Sequence, residues 1–282
     1  MMNAMPFPRA LARNRHGAIG AALVLLILVV AALGPAMAPR DHEATDMGAV
    51  WARPSGEHPL GADGLGRDVL SRLLVGARTS LVVALSVVSI TLVVGVSLGV
   101  ASGYFGGLLD TLIMRFADIV FAFPEIILAI LVAAVIGPGK LTVIVSLALV
   151  WWPGVARLTR SLVLSLKEAV FVDAAVASGT SSARILWLHV LPNIAGPLAV
   201  RATLGVGFII MAEATLSFLG LGVQEPEPTW GAMIRDGIGA IRTDPHLALF
   251  ASVPLAVTIV GFNFLGDGVR DLLDPKAPGA FR

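Results

Sequence analysis

Six stretches of this chain run for sixteen to thirty-one residues with almost no charge, and that constrains its fold more than any motif. They are Gly17 to Pro39, Thr79 to Leu109, Ile119 to Ile136, Leu141 to Ala156, Ala202 to Gly222 and Leu247 to Gly266. About twenty apolar residues cross the hydrocarbon core of a bilayer as a helix, which satisfies every backbone N–H and C=O internally. Glu125 and Glu213 are the only acidic or basic residues inside these runs. With 56% of all residues apolar and 14% charged, a water-soluble fold would expose more apolar surface than water tolerates. The expected fold class is an all-α membrane protein with six transmembrane helices.

Orientation follows from the excess of Lys and Arg in cytoplasmic loops. With the N-terminus inside, twelve basic residues, among them Arg9, Arg13, Arg115, Arg157, Arg160, Arg201, Lys276 and Arg282, fall on the inner side and eight on the outer. The expected topology is therefore N-in and C-in. Ala36-Met37-Ala38 after the first run imitates a signal-peptide cleavage site, but the run is too long and Pro39 disfavours cleavage. The first run reads as a retained anchor. Gly137-Pro138-Gly139-Lys140 is a tight turn between the third and fourth runs, and Gly103-Tyr104-Phe105-Gly106-Gly107 ends the second.

Two polar segments interrupt the apolar pattern. Between the first and second runs, residues 40–78 turn on Pro and Gly and then become helical. Val69, Leu70, Leu73, Leu74 and Ala77 share one helical face, while Arg67, Asp68, Ser71 and Arg72 share the other. That pattern suits a short helix lying along the outer surface, either packing between two spans or serving as a landing surface for an external partner. Between the fourth and fifth runs, residues from Arg157 to Val172 favour helix, so the fourth span should continue into the cytoplasm. Asp173-Ala174-Ala175 then joins an acid to two small side chains that let another backbone approach. Gly179 can take the positive φ that ends a helix, and Pro192 should separate the following stretch from the fifth span.

The order acid-Ala-Ala, three residues, Gly, and a Leu-Pro twelve residues further on resembles the cytoplasmic loop by which the membrane subunits of binding-protein-dependent ABC importers dock onto their ATPases. His58-Pro59-Leu60-Gly61, Gly66-Arg67-Asp68-Val69-Leu70-Ser71-Arg72 and Gly76-Ala77-Arg78 resemble the dipeptide/oligopeptide/nickel group of these permeases. So do Gly103 to Gly107 with Asp110, Met114-Arg115 and Asp118; Glu213 to Gly222; Pro228-Thr229-Trp230-Gly231; and Gly266 to Asp271 with Asp274-Pro275. Asp173 departs from the usual Glu, keeping the charge on a shorter arm. His189 stands where the general pattern is aliphatic, as it often does in the peptide branch.

The resemblance implies a type I ABC importer permease fold, multi-pass in a bacterial cytoplasmic (inner) membrane. Residues 1–75 would form an anchor helix and external segment, and residues 76–282 the permease core with a coupling loop at about 157–195. The ATPase-coupling residues would be Asp173, Ala174, Ala175, Gly179, His189, Leu191 and Pro192. Its partners would be a homologous permease in a heterodimer, two cytoplasmic ABC ATPase subunits and an external solute-binding protein. The solute would be a di- or oligopeptide, nickel chelate, glutathione or opine-like compound. ATP and Mg would be bound by the ATPase subunits, with no cofactor on this chain.

The residues offer little to other function classes. No His-Glu-x-x-His metal motif is present and the five His are scattered, so no metal or catalytic site is expected. Gly137 to Lys140 lacks the first Gly and the Ser/Thr of a phosphate loop. A net charge of +1 gives no basic surplus for nucleic acid. A secondary transporter or channel without ATPase partners is the alternative, but such transporters bury several ionisable groups and carry two related halves. Glu125 beside Pro124 should be solvated at a helix start. Glu213 should face the bundle or a water-filled path and not lipid, either lining the pathway or tying helices together.

Overall fold

The structure, a computed structural model, describes Leu11 and residues 14–273. Arg9, Arg13, Lys276, Arg282 and the Asp274-Pro275 pair lie outside the described residues. Helix α1 (Arg15–Met37) starts at Asn14, whose side chain accepts from the Gly17 amide at 3.1 Å. A non-helical segment holding one 3₁₀ turn, Met47–Ala49, leads to α2 (Val69–Phe105). Then follow α3 (Gly107–Phe121), α4 (Glu125–Ile136), α5 (Lys140–Lys167), α6 (Val170–Ala177), α7 (Ser182–Ile185), α8 (Leu191–Phe218), α9 (Trp230–Gly239) and α10 (His246–Leu273).

Among the described residues, five helical segments are long and apolar enough to cross a membrane, and a sixth results when α3 and α4 count as one broken span. That sixth crossing differs from the straight helix expected over Ile119 to Ile136, because α3 and α4 meet at 89°. Pro124 is the cause. It lacks an N–H and its ring excludes Phe123 from helical backbone, so the chain breaks and restarts with Glu125 in the first turn of α4. At 12 residues α4 covers only about 18 Å, well short of the roughly 30 Å hydrocarbon core.

The second difference is at α2. The amphipathic stretch and the following span are a single helix of 37 residues, about 55 Å long, not a surface helix followed by a turn. Nothing between Leu74 and Leu81 breaks a helix, and Asp68 caps the start through the Ser71 amide at 2.8 Å. The 75/76 boundary falls inside this uninterrupted element.

Glycines set how close the helices lie. Gly95, Gly99 and Gly103 make a stripe at four-residue spacing along α2, and α5 lies directly on it. A Cβ at Gly99 would stand 2.5 Å from both the Ala156 carbonyl and the Thr159 Cβ. Such small-residue stripes let backbones touch where lipid gives helices no hydrophobic reason to associate. Helix α10 meets α1 in the same way, since a Cβ at Gly20 would lie 2.2 Å from the Leu265 amide nitrogen. The main core gathers around Leu81, Val87, Leu147, Ile209 and Ile210, between α2, α5 and α8. Leucines and valines of α1, such as Leu25 and Leu33, point outward as a lipid-facing surface requires.

Overpacking this seam should destabilise the protein. Gly99→Val is expected to cost on the order of 1–3 kcal/mol and lower the thermal unfolding temperature of the detergent-solubilised protein. Gly239→Ala, where a Cβ meets nothing within 4 Å, is expected to leave it unchanged. Equal melting of the two variants would remove the seam's structural role.

Candidate functional site

One end of the bundle carries a compact helical knob. Helix α5 runs past the bundle to Lys167, as the sequence pattern requires, and turns at Ala169 into α6. Helix α6 closes with the Thr180 amide donating to the Ala175 carbonyl at 3.1 Å and the Gly179 amide to the Val176 carbonyl at 2.9 Å. Gly179 takes φ +75°. This is the Schellman closure, and its left-handed residue is the one position where glycine is needed.

The knob has a small apolar core of its own. Val172 of α6, Ile185 of α7, Val190 just before α8 and Ile194 in its first turn bury against Val163 of α5, with Val100 and Tyr104 of α2 at the edge. The knob is thus fastened to three long helices at once. The Lys167 ammonium donates to the Tyr104 carbonyl at 2.9 Å and adds a further tie between α5 and α2. Outward, the knob presents Asp173 and Ala174 among Val170, Phe171, Val176, Trp187 and Leu188, all exposed. Asp173 forms no ion pair among the described residues.

The predicted site residues divide between these two faces. Asp173, Ala174 and Gly179 are exposed, whereas Ala175 and Leu191 are half-buried against the small core. The His189 ring stands 6.2 Å from that of Phe171, and its carbonyl accepts from the Asn193 amide side chain at 2.6 Å. Pro192 does not separate the knob from the next span. It sits exposed in the first turn of α8, and the chain stays helical through a π-turn over Leu186–Val190. Proline has no N–H for the carbonyl four residues back and crowds it, so the helix widens by one residue instead of ending.

Helix α3 is clamped to α5 beside the knob. Arg160 donates to both Asp110 oxygens at 2.6 and 2.7 Å, with the Ser102 hydroxyl on the same carboxylate. Arg157 pairs with Asp118 and lies 4.2 Å above the Phe121 ring. Asp110 and Asp118 stood out in the sequence, but their arginine partners lie about forty to fifty residues away and had no local signal.

At the opposite end, Glu213 is fully enclosed. Its Oε1 accepts from the Ser217 hydroxyl at 2.7 Å, the Thr229 and Ser80 hydroxyls lie beside it, and its Oε2 has no partner among the described residues. It faces α2 and the start of α9, so this arrangement favours a tie between helices over a pathway lining. Above it lies a cluster that sequence reasoning missed. Arg67 donates from Nε to Asp63 at 2.8 Å and pairs with Glu225; Arg72 reaches Glu225 at 3.1 Å and Asp63 at 3.4 Å. His58 meets Asp68 at 3.0 Å.

The face of Arg67, Asp68, Ser71 and Arg72, which amphipathic reasoning turns toward solvent, is buried, with Arg72 only 1% exposed. Burial of charge is tolerable because each cation has carboxylate partners. Two of these come from residues 63 and 225, and the chain separation left no pattern to read. Burial disfavours the Glu225 anion, but the Arg67 hydrogen bond and the charges of Arg72 and Arg67 outweigh it and hold the carboxyl below the ordinary glutamate range. Lys140 and Thr79 bind Glu227 at 2.6 and 3.0 Å and fix the same loop to α5 and α2.

Residues 95–277 match the family described as "Binding-protein-dependent transport system inner membrane component". Over 268 residues the chain is 40% identical to the dipeptide transport system permease protein DppC of Alkalihalophilus pseudofirmus, covering 95% of this chain and 88% of that one. Over 269 residues it is 44% identical to the glutathione transport system permease protein GsiD of Escherichia coli, covering 95% and 89%. Among solved structures, a chain of the MetNI methionine ABC transporter in an inward-facing conformation superposes with a TM-score of 0.56 at 20% identity, over 70% of this chain and 94% of that one. That likeness speaks for the fold.

The buried ion cluster should loosen in acid. Because the Glu225 carboxyl is depressed in the folded state, its contribution is complete above the unfolded value of about 4.3 and is lost as pH falls through the lower folded value. Glu225→Gln is expected to raise amide hydrogen exchange over residues 58–72 at pH 7, and the native protein to reach similar exchange only below about pH 4. Unchanged exchange in the variant would show the cluster to be dispensable.

Proposed function

The chain belongs to the family of binding-protein-dependent transport system inner membrane components, and from that premise we propose that its knob is the coupling element through which separate ATPase subunits drive import. The protein is a multi-pass inner-membrane permease component of an ABC importer with the type I permease fold. The observation that carries the coupling reading is the knob's construction: apolar residues and Asp173 face outward, while a private core fastens the element to α2, α5 and α8.

In this reading ATP and Mg bind in the partner subunits, and closure of two ATPases pushes on α6. Helix α5 carries the push into the bundle, and α8 follows because Ile194 and Val190 share the knob's core. Such a device works when ATP and the loaded binding protein each favour one of two arrangements. The knob lies on the cytoplasmic side and the Asp63–Arg67–Arg72–Glu225 cap on the outer side, where the solute-binding protein lands. A homologous permease covers the apolar residues that α3 and α4 leave exposed, such as Leu112, Phe116, Ile127 and Leu131. The names of the similar permeases support a dipeptide or glutathione-type solute.

Ala174 tests coupling more cleanly than Ala175, whose side chain touches the small core. Ala174→Glu places an unpaired charge in the docking interface and is expected to reduce solute uptake at least about tenfold. ATPase subunits should be lost on affinity purification, with the melting temperature of the permease unchanged. Native uptake together with native ATPase retention would end the docking assignment. Sidedness is open to a direct test because the chain has no cysteine. A Ser178→Cys variant should react with an impermeant maleimide only after lysis, and Glu57→Cys should react in intact cells; the reverse pattern would overturn the topology.

A further inference from the structure

Arg201 stands ten residues, about 15 Å, inside α8. It takes part in none of the ion pairs among the described residues. A guanidinium carries five N–H donors and cannot shed its charge, so an arginine within a span marks a place where an anion is wanted. Its charged carbon lies instead over an aromatic ring, 5.7 Å from the Trp151 centroid on α5. Phe208 of α8 braces that ring at 6.0 Å. Gly154 makes room for the guanidinium, since a Cβ there would come within 3.2 Å of Nη2.

A cavity opens between α2, α5 and α8 at this point, lined by Thr91, Leu92, Trp151, Arg201 and Gly205. Thr91 is 3% exposed and its hydroxyl has no hydrogen-bond partner among the described residues. A buried hydroxyl without a partner is unfavourable unless something else fills its need. The cavity therefore offers a cation and a free O–H donor, with apolar walls and no carboxylate. Its room, about 10 Å³, suits one water or one oxygen atom of a ligand.

We propose that Arg201, with Thr91 and Trp151, forms a carboxylate-binding site on the solute path, which receives the C-terminal carboxylate of a peptide in transit. One carboxylate oxygen enters the cavity and accepts from the Thr91 hydroxyl; the guanidinium fork at its mouth donates to both oxygens. Trp151 keeps the fork in plane and shields the pair from water. Lysine would be a poor substitute, since an ammonium lacks the planar fork and stacks less well on indole. The site lies between the two helices that carry the knob, so movement of α5 against α8 opens or closes the grip and releases the solute.

This inference rests on the peptide-import reading, and the experiment separates the two. The complete importer, with its binding protein, is reconstituted in vesicles and uptake of alanyl-phenylalanine is measured for the native chain, Arg201→Gln and Arg201→Lys. The native complex importing neither this dipeptide nor glutathione would defeat the import reading itself. If import proceeds, Arg201→Gln is expected to lower the maximal rate about tenfold at an unchanged half-saturating concentration, with Arg201→Lys only partly restoring it. Native rates in both variants would overturn the site.

Binding is then read without the binding protein, and the comparison of acid with amide needs only the native complex. Tryptophan fluorescence of the purified native permease–ATPase complex is titrated with alanyl-phenylalanine and with its C-terminal amide. A saturable change with the acid, weakened at least about tenfold with the amide and absent in Trp151→Phe, supports the site. Equal responses to acid and amide, or no response to either, would overturn it.

Discussion

Helices α2 and α5 touch backbone to backbone because Gly95, Gly99 and Gly103 present no side chains along their seam. In lipid there is no hydrophobic effect to press two helices together, so close van der Waals contact over a long interface must supply the attraction. Each functional part of the molecule hangs from that seam. The knob continues from the end of α5, α3 is clamped to α5 by Arg157 and Arg160, and α2 carries Arg67's neighbour Asp68 as its cap and Arg72 in its first turns. The Arg201 cavity lies where α8 crosses the paired helices.

The charges are distributed to suit this arrangement. Ion pairs sit at the two ends, with Asp110–Arg160 and Asp118–Arg157 near the knob and Asp63–Arg67–Arg72–Glu225 and Lys140–Glu227 at the other end. Both groups join segments remote in sequence: the first clamps α3 to α5, and the second ties the loops around residues 63 and 225–227 to α2 and α5. Individually, exposed pairs of this kind contribute little. Those with Arg72, nearly inaccessible to solvent, matter because removal of a partner would strand a buried charge. Glu213 and Arg201 differ from all of these, the first sheltered among hydroxyls and the second stacked on an indole.

The knob's separate core suits the proposed coupling role. An element held by a hinge alone would yield when pushed, whereas Val172, Ile185, Val190 and Ile194 interlock with Val163 of α5. In that reading a push on α6 reaches α5 and α8 together. The π-turn before Pro192 lets α8 begin within the knob without a break, and π-turns are frequent at functional sites.

The sequence by itself determined the elements whose signal is local. Charge-free runs specify apolar helices, the extension of the fourth span past Arg157 follows from continuous helix-forming residues, and Gly179 marks a helix end because only glycine takes φ +75° without strain. The acid-Ala-Ala pattern and its spacing were enough to locate the knob. What the tertiary structure alone decided concerns direction and partnership. Pro124 bends the third crossing by 89°, while Pro192, equally legible as a breaker, is absorbed by a π-turn. The face of Arg67 and Arg72 reads as solvent-exposed by periodicity and is buried in fact, because Glu225, over 150 residues away, neutralises it. Arg201 read as a residue at a span's edge until Trp151 and Thr91 were seen around it. Local backbone chemistry is written within a few residues of where it acts, but charge pairing and cavities depend on which distant segments meet, and only the packed chain brings them together.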